Sequence, residues 1–288
     1  TPLNDTQEND FKGLSIPGLA NRKEKPNDEI ARYYTTSEQV KVGMESRADL
    51  PRFLLRGSVQ PDSLLPLPGS MHTIYLAAQD MEFNSIGSIR ITPLHAVMES
   101  AVRWNADFDS DGSPFSPDGN RPSSDEMVPE QERQVMEEIV ASLALRTMSL
   151  EDKIATLRLY FMKNFTYTTY LTISSQLSRK RMKEESENSY RTMTGRDSAL
   201  AQFLLEEKRG HCEYFATATT LLLRAAGEKA RYCVGYSVQE KDKKTGQYVL
   251  RGTHAHAWSR VWNARTGRWL DVDTTPSSWV AMYAASSS

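Results

Sequence analysis

Residues 213–226 form the stretch that most limits what this chain can fold into. Phe215, Ala216, Ala218, Leu221, Leu222, Leu223 and Ala225 leave it apolar or small almost all round. A helix without a wide polar face has to be buried, and Gly227 marks its end. The sequence that follows supplies a cover. Tyr232, Val234, Tyr236 and Val238 alternate as a strand, and the charged turn at 240–246 leads to a second. Residues 253–262 alternate again, and Trp269 to Asp273 reads as a last strand. A buried helix followed by an antiparallel meander is an α+β layout.

Upstream the pattern changes twice. Residues 1–50 are polar and show no sustained period, which predicts a polar arm or linker. Residues 52–59, 72–77 and 86–92 read as strands separated by Pro- and Gly-rich turns, so 51–104 is expected to be a small, mostly β domain. Residues 105–128 are rich in Asp, Ser, Pro and Gly and are taken as a loop or linker. Residues 129–288 are taken as one further domain. It opens with a helical stripe of Val135, Met136, Ile139, Val140 and Leu143. A second helix has the start signal Ser149 with Asp152 three residues on, and the stripe Leu150, Ile154, Leu157 and Phe161. Residues 174–196 read as a charged surface loop, with flap-like placement near a site as one option. Residues 199–207 read as a helix broken by Arg209-Gly210-His211.

Composition narrows the classes. At 288 residues, with 39% hydrophobic and 25% charged residues, the chain can bury its own core without staples. A net charge of −2 gives no basic field to recruit nucleic acid. Two cysteines cannot build a disulfide framework. The start at Thr1 and the end in Ala-Ser-Ser-Ser read as cuts from a longer protein.

Three residue types point to chemistry. Cys212 lies where the Gly210 break meets the buried helix. Unpaired N–H groups and the positive end of the dipole at a helix start stabilise a thiolate, and the same N–H groups suit an oxyanion. The plainer reading is a small buried hydrophobe. His254, His256 and Trp258 alternate with alanines and so share a strand face; Asp271 and Asp273 share a face of the next strand. Thiol, imidazole and carboxylate on three neighbouring elements is what a Cys-His-Asp triad needs. Periodicity does not separate Asp271 from Asp273. Cys233, opposite the Tyr/Val face, reads as packing.

The motifs Arg209-Gly-His-Cys-Glu-Tyr-Phe-Ala216, Leu222-Leu-Arg-Ala-Ala-Gly227, Gly235-Tyr236, His256-Ala-Trp258 and Asp271-Val-Asp-Thr-Thr-Pro276 resemble the transglutaminase-like superfamily of papain-type cysteine enzymes. Phe53-Leu-Leu-Arg-Gly57 and Phe165-Thr-Tyr-Thr168 extend the likeness to its bacterial TgpA-like subgroup. The resemblance implies a papain/transglutaminase-like core for 129–288. It implies Cys212 as nucleophile, His256 as base and Asp273 as orienting acid, acting through a thioester on protein or peptide amides with no cofactor. It also implies an extracytoplasmic domain in a membrane-anchored bacterial parent. Glu228-Lys229 departs from the family's Ile-Pro after the helix glycine.

Two rival readings stand beside this one. Cys212, His254, His256 and Asp273 are ligand types that suit zinc, although their spacing matches no zinc motif. A binding domain with an idle triad is the other. Separately, Asp107, Asp109, Asp111 and Gly112 look like half a calcium loop, but the twelfth position is Asp118 and Pro114 and Pro117 intervene. A solvated turn is expected there.

Overall fold

A computed structural model describes residues 125–168 and 198–277 in full and, before them, mainly the backbone of nine strands. The chain divides into two compact units, residues 1–116 with 264–268, and residues 117–263 with 269–288.

The first unit is β. Its strands are β1 (Lys12–Ser15), β2 (Tyr34–Thr36), β3 (Gln39–Gly43), β4 (Arg52–Gly57), β5 (Ser63–Leu64), β6 (Met71–Leu76), β7 (Ala78–Phe83), β8 (Ile89–Pro93) and β9 (Met98–Trp104). They form two antiparallel sheets, in the orders β1-β7-β8-β5 and β2-β3-β6-β9-β4. Strands β4, β6 and β8 fall where alternation predicts them. The expected polar arm over 1–50 is corrected, because β1, β2 and β3 lie inside it; β1 pairs with β7 and β3 with β6. Strands of three to five residues are too short to display a period; β2 pairs only with its neighbour β3, and the partners of β1 and β3 in β7 and β6 lie about 70 and 30 residues downstream, where local propensity carries no information. The half-calcium-loop at 107–118 and the loop at 174–196 lie outside the described residues.

The second unit is α+β. Helices α1 (Glu130–Ser142) and α2 (Leu150–Asn164) come first. A two-residue strand β10 (Thr166–Tyr167) follows. A short helix α3 (Ala199–Gln202) runs into a π-helical turn at Phe203–Glu207, then β11 (Arg209–Gly210) and α4 (Cys212–Ala225). Strands β12 (Ala230–Tyr236), β13 (Ala255–Asn263) and β14 (Arg268–Val272) make a sheet in that order. The predicted cap holds: the Asp152 N–H donates to Ser149 Oγ at 3.1 Å, and that hydroxyl donates to Asp152 Oδ2 at 2.7 Å. The predicted stripe on α1 is buried apart from Leu143, which is half-buried.

Helix α4 is the centre of this unit. Every residue from Phe215 to Leu223 is buried. On one side Phe215 meets Phe161, Phe165 and Phe203 with ring centroids 5.2 to 6.2 Å apart. Such pairs add about 0.5–1.5 kcal/mol each beyond area burial. On the sheet side the buried hydroxyls pair off. Ser259 Oγ donates to the Ala216 carbonyl at 2.9 Å, and Thr220 and Ser259 share a bond of 2.9 Å. Thr219 and Thr274 share one of 2.6 Å.

The far end of α4 is fixed as firmly. Gly227, at φ +89°, turns the chain so that the Glu228 N–H reaches the Leu223 carbonyl and the Gly227 N–H that of Arg224, a Schellman closure. Arg146 donates to the Ala225 carbonyl and Lys153 to that of Ala226, placing two cations on the negative end of the dipole. Lys153 itself is neutralised by Glu228.

Strand β12 is anchored by a charge pair. Arg231 donates to both carboxylate oxygens of Asp125, with side chains 12% and 5% exposed, and its guanidinium lies 4.1 Å over the Trp269 ring. The Ala230 N–H donates to the Asp125 carbonyl. Removing one partner of so buried a pair costs about 3–5 kcal/mol. Asp125→Ala is therefore expected to lower the free energy of unfolding by that amount in urea denaturation. Glu130→Ala, which breaks the exposed pair with Arg133, is expected to change it little.

Candidate active site

The chain reaches Cys212 along a fixed path. The π-helical turn closes with the Lys208 N–H on the Phe203 carbonyl, and Lys208 takes a left-handed conformation at φ 50°. Strand β11 then pairs in parallel with β10: the Thr166 N–H donates to Lys208 and the Thr168 N–H to Gly210, both at 2.9 Å. The backbone is thus held up to the residue before His211, which is the N-cap of α4. Cys212 is the first residue of the helix and half-buried.

Register then sets the partner. Strands β12 and β13 pair from Ala230 opposite Val261 to Tyr236 opposite Ala255, which sets His256 opposite Gly235. The His256 ring is 7% exposed, and its Nε2 lies 2.7 Å from Asp273 Oδ2. The other carboxylate oxygen, Oδ1, accepts from the Thr275 N–H at 2.9 Å. Nε2 is engaged with Asp273, so Nδ1 is the nitrogen left to exchange a proton with the thiol, and the ring and the thiol shift each other's ionisation.

Burial opposes charge on the Cys212 sulfur, but hydrogen bonds from His211, His256 and the Ala257 N–H outweigh it and bring the thiol down to about 6. Burial likewise works against an imidazolium at His256, yet Asp273 and the thiol hold it up at about 9. Burial would lift the Asp273 carboxyl; its bonds to His256 and Thr275 keep it below the usual carboxylate range. Both shifts run toward a thiolate at Cys212 and an imidazolium at His256 near neutral pH.

His256 and Asp273 are in direct contact, and Cys212 stands at the start of α4 where the imidazole acts on its ionisation. Two neighbours behave differently. His254 does not share the strand face; it ends a one-turn 3-10 helix at Gly252–His254, just before β13. Its Nδ1 accepts from the Arg251 N–H at 3.2 Å and its Nε2 is 3.4 Å from Glu240. The bidentate Arg251–Glu240 pair ties this turn down, so the alternation that extends back to residue 253 is not followed by the backbone. The second strand expected after the 240–246 turn reduces to a single bridge, Lys241 to Tyr248. Asp271 does not meet His256 either. It accepts from Trp258 Nε1 at 3.0 Å and pairs with Arg260 at 3.0 Å, while Asp273 lies just past the end of β14.

Trp258 was legible only as a neighbour on the strand. Its ring lies near-parallel to His256, 13° between planes and 6.4 Å between centroids. Gly235 makes this possible: a Cβ there would stand 2.8 Å from Trp258 Cη2. His211 reads in the sequence only as part of a helix break, yet it is the N-cap of α4 and its imidazole influences the ionisation of the adjacent thiol. Adjacency to the candidate nucleophile was the one available signal. Among the described residues no group of three or more His, Cys, Asp and Glu side chains is arranged to hold a metal ion. No helix among them is long and apolar enough to cross a membrane.

A family model described as the transglutaminase-like superfamily matches residues 137–274, the span that contains Cys212, His256 and Asp273. This part of the chain is a transglutaminase-like domain. A protein-glutamine gamma-glutamyltransferase of Pseudomonas aeruginosa is 37% identical over 82 residues, which is 28% of this chain and 12% of that protein. The uncharacterized protein YebA of Bacillus subtilis is 37% identical over 78 residues, 26% of this chain and 10% of that one. The matched segments thus span only a small part of these relatives. The crystal structure of the periplasmic domain of TgpA from Pseudomonas aeruginosa aligns with a TM-score of 0.56 at 18% identity. The alignment covers 90% of this chain and 77% of that one, a likeness of fold. The superfamily implies cysteine-based acyl transfer in general.

The two thiols of this domain should separate chemically. Burial pushes Cys233 up to about 12, while Cys212 sits near 6. At pH 6.5 iodoacetamide is expected to alkylate Cys212 at least ~100-fold faster than Cys233, read by peptide mass spectrometry, because only the thiolate reacts. Equal slow labelling of both would contradict the ion pair.

Proposed function

We propose that the domain transfers acyl groups from protein or peptide amides through a thioester on Cys212, with His256 as acid and base and Asp273 as its orienting group. The observation that carries this reading is the meeting of a helix-start thiol with an imidazole whose other nitrogen is 2.7 Å from a buffered carboxylate. The glutamine-acting relative favours a glutamine carboxamide as donor.

The steps follow from the geometry. The Cys212 thiolate attacks the amide carbon, and the oxyanion that forms is met by the Cys212 N–H at the α4 start. The His256 proton at Nδ1 goes to the departing nitrogen as the C–N bond breaks, leaving the thioester. His256, now neutral, takes the proton of an incoming amine or water. The new bond forms, the C–S bond breaks, and its electron pair returns to sulfur. Asp273 keeps Nε2–H in place throughout and stabilises the imidazolium without taking the proton. The likeness in fold to a periplasmic domain supports an extracytoplasmic position in a membrane-anchored parent.

Incubation with a glutamine-containing protein and a labelled primary amine tests the reading. Label incorporation that Cys212→Ala abolishes is the expected result. Peptide fragments instead would make water the acceptor, and neither product would end the proposal.

The pH profile follows from the two partners. The thiolate is present above about 6 and the imidazolium below about 9, so kcat/KM is expected to be bell-shaped between those limits. Asp273→Asn removes the carboxylate that raises His256, so the alkaline limb should move down as turnover falls roughly 10²–10⁴-fold. Asp271→Asn, which touches Trp258 and Arg260 instead, should cost a few-fold at most. Reversed outcomes for the two variants, at matched thermal stability, would swap their roles.

A further inference from the structure

The bonds between α4 and the sheet fix where the sulfur stands along β12. Arg224 Nε donates to the Ala230 carbonyl at 2.9 Å, and Ser259 Oγ sits between the Ala216 carbonyl and the Thr220 hydroxyl. The helix therefore runs antiparallel to β12, with its last turn at Ala230 and its middle at the Tyr232–Ser259 pair. From that middle back to Cys212 is about 6–9 Å of helix, the length of two to three strand residues. Cys212 thus comes level with the Val234–Ala257 pair or just past it, and the Tyr236–Ala255 pair stands beyond the start of the helix. Residues directly opposite share a face, so Tyr232, Val234 and Tyr236 lie on the side of the sheet to which α4 is bonded. The cover stops at the sulfur. Ala257 is 2% exposed, whereas Val234 is 59% and Tyr236 41% exposed.

The same residues carry a second feature. The Trp262 N–H donates to the Lys229 carbonyl and the Ser237 N–H to that of His254, so the odd-numbered residues of β12 direct their backbone groups at β13. The N–H and C=O groups of Tyr232, Val234 and Tyr236 point the other way, and β12 is the edge of its sheet. The Ala230 N–H, on the same edge, is taken by the Asp125 carbonyl. Among the described residues no strand pairs with the groups further along. An uncharged apolar face joined to an open strand edge, both level with the sulfur, suits one kind of molecule. An extended peptide uses the edge for backbone hydrogen bonds and the face for every second side chain. A free amide or a lipid chain has no use for the edge.

We propose that β12 is the docking strand for the acyl donor: an extended peptide segment added along its free edge, with the reacting glutamine level with Val234 and an apolar side chain two residues away resting on Tyr236 or Tyr232. The inference rests on acyl transfer at Cys212 and adds the class of donor that reaches it. The period of two decides which neighbours count. Side chains next to the glutamine point to the other face of the added strand, and those two positions away share the glutamine's face. Selectivity therefore falls on the second residue from the glutamine and little on the first.

Short capped peptides with one glutamine test this, carrying leucine, glycine or glutamate two residues to either side. Binding to the full chain with Cys212→Ala is read by fluorescence anisotropy, and kcat/KM of the unaltered chain by labelled-amine incorporation. The leucine peptide is expected to bind ~tenfold or more tightly than the glycine peptide, as one or two apolar side chains leave water. The glutamate peptide should bind weakest. Moving the leucines next to the glutamine should forfeit most of the gain. Val234→Lys and Tyr236→Lys, both at exposed positions and checked for folding by circular dichroism, should turn the order toward the glutamate peptide. Equal binding of the three peptides, no binding at all, or an order that both variants leave unchanged would overturn the proposal. A concentration-dependent dimer that Val234→Lys dissolves would overturn it too, by giving the face to a second copy of the chain. A leucine preference in binding with neither amine incorporation nor hydrolysis would instead remove the acyl-transfer reading and leave the peptide site standing.

Discussion

The burial of α4 between the phenylalanine cluster and the β12–β14 sheet is the constraint on which the site depends. A thiol at a helix start is reactive only if the helix cannot slide or turn. Here Phe215 is locked among three rings, Thr219, Thr220 and Ser259 spend their hydroxyls inside the interface, and the last carbonyls are held by Arg146 and Lys153. The hydroxyl pairs give direction to a contact that hydrophobic burial alone would leave free to slip. The sulfur is then delivered to one place relative to the sheet.

The sheet answers with its own register. The same interstrand pairing that puts His256 opposite Gly235 runs on to Ala230 opposite Val261, where Arg231 and Asp125 close a buried charge pair. A register slip by one residue would turn every side chain of the strand to the other face, so this end of β12 and the end opposite His256 are specified together. Electrostatics then follow from position. Asp273 raises His256, His256 and His211 lower Cys212, and Cys233, where burial outweighs the nearby Arg260 and Arg231, moves the opposite way.

Much of this was legible in the sequence because it is written in local patterns. The all-round apolar character of 213–226, the cysteine at its start, the Ser149 cap and the stripe on α1 are short-range signals, and each appears where expected. What was illegible depends on distant partners. Strands β1 and β3 exist through pairing with β7 and β6, β2 adds to β3, and nothing in their own few residues announces it. His254 continues the alternation of β13 on paper, but the Arg251–Glu240 pair bends the chain before it. Asp271 and Asp273 are equivalent by period, and only the end of β14 at Val272 divides them, one toward the indole and one toward the imidazole. The exposed faces of Val234 and Tyr236 show the converse: perfect alternation there marks a strand whose apolar side is not covered.

Gly235 carries a consequence for how such a sequence can drift. Its bare α-carbon is the floor of a slot in which the Trp258 indole lies, because a methyl group would press on that ring at 2.8 Å. The indole in turn spans from Asp271 to the face of His256. On either side of the slot, Val234 and Tyr236 point toward water, so exchanges at those two positions disturb nothing inside. At the residue between them even alanine would tilt the indole and, with it, the wall beside the imidazole. Three consecutive positions on one strand thus live under opposite rules, and the strictest falls on the residue with no side chain at all.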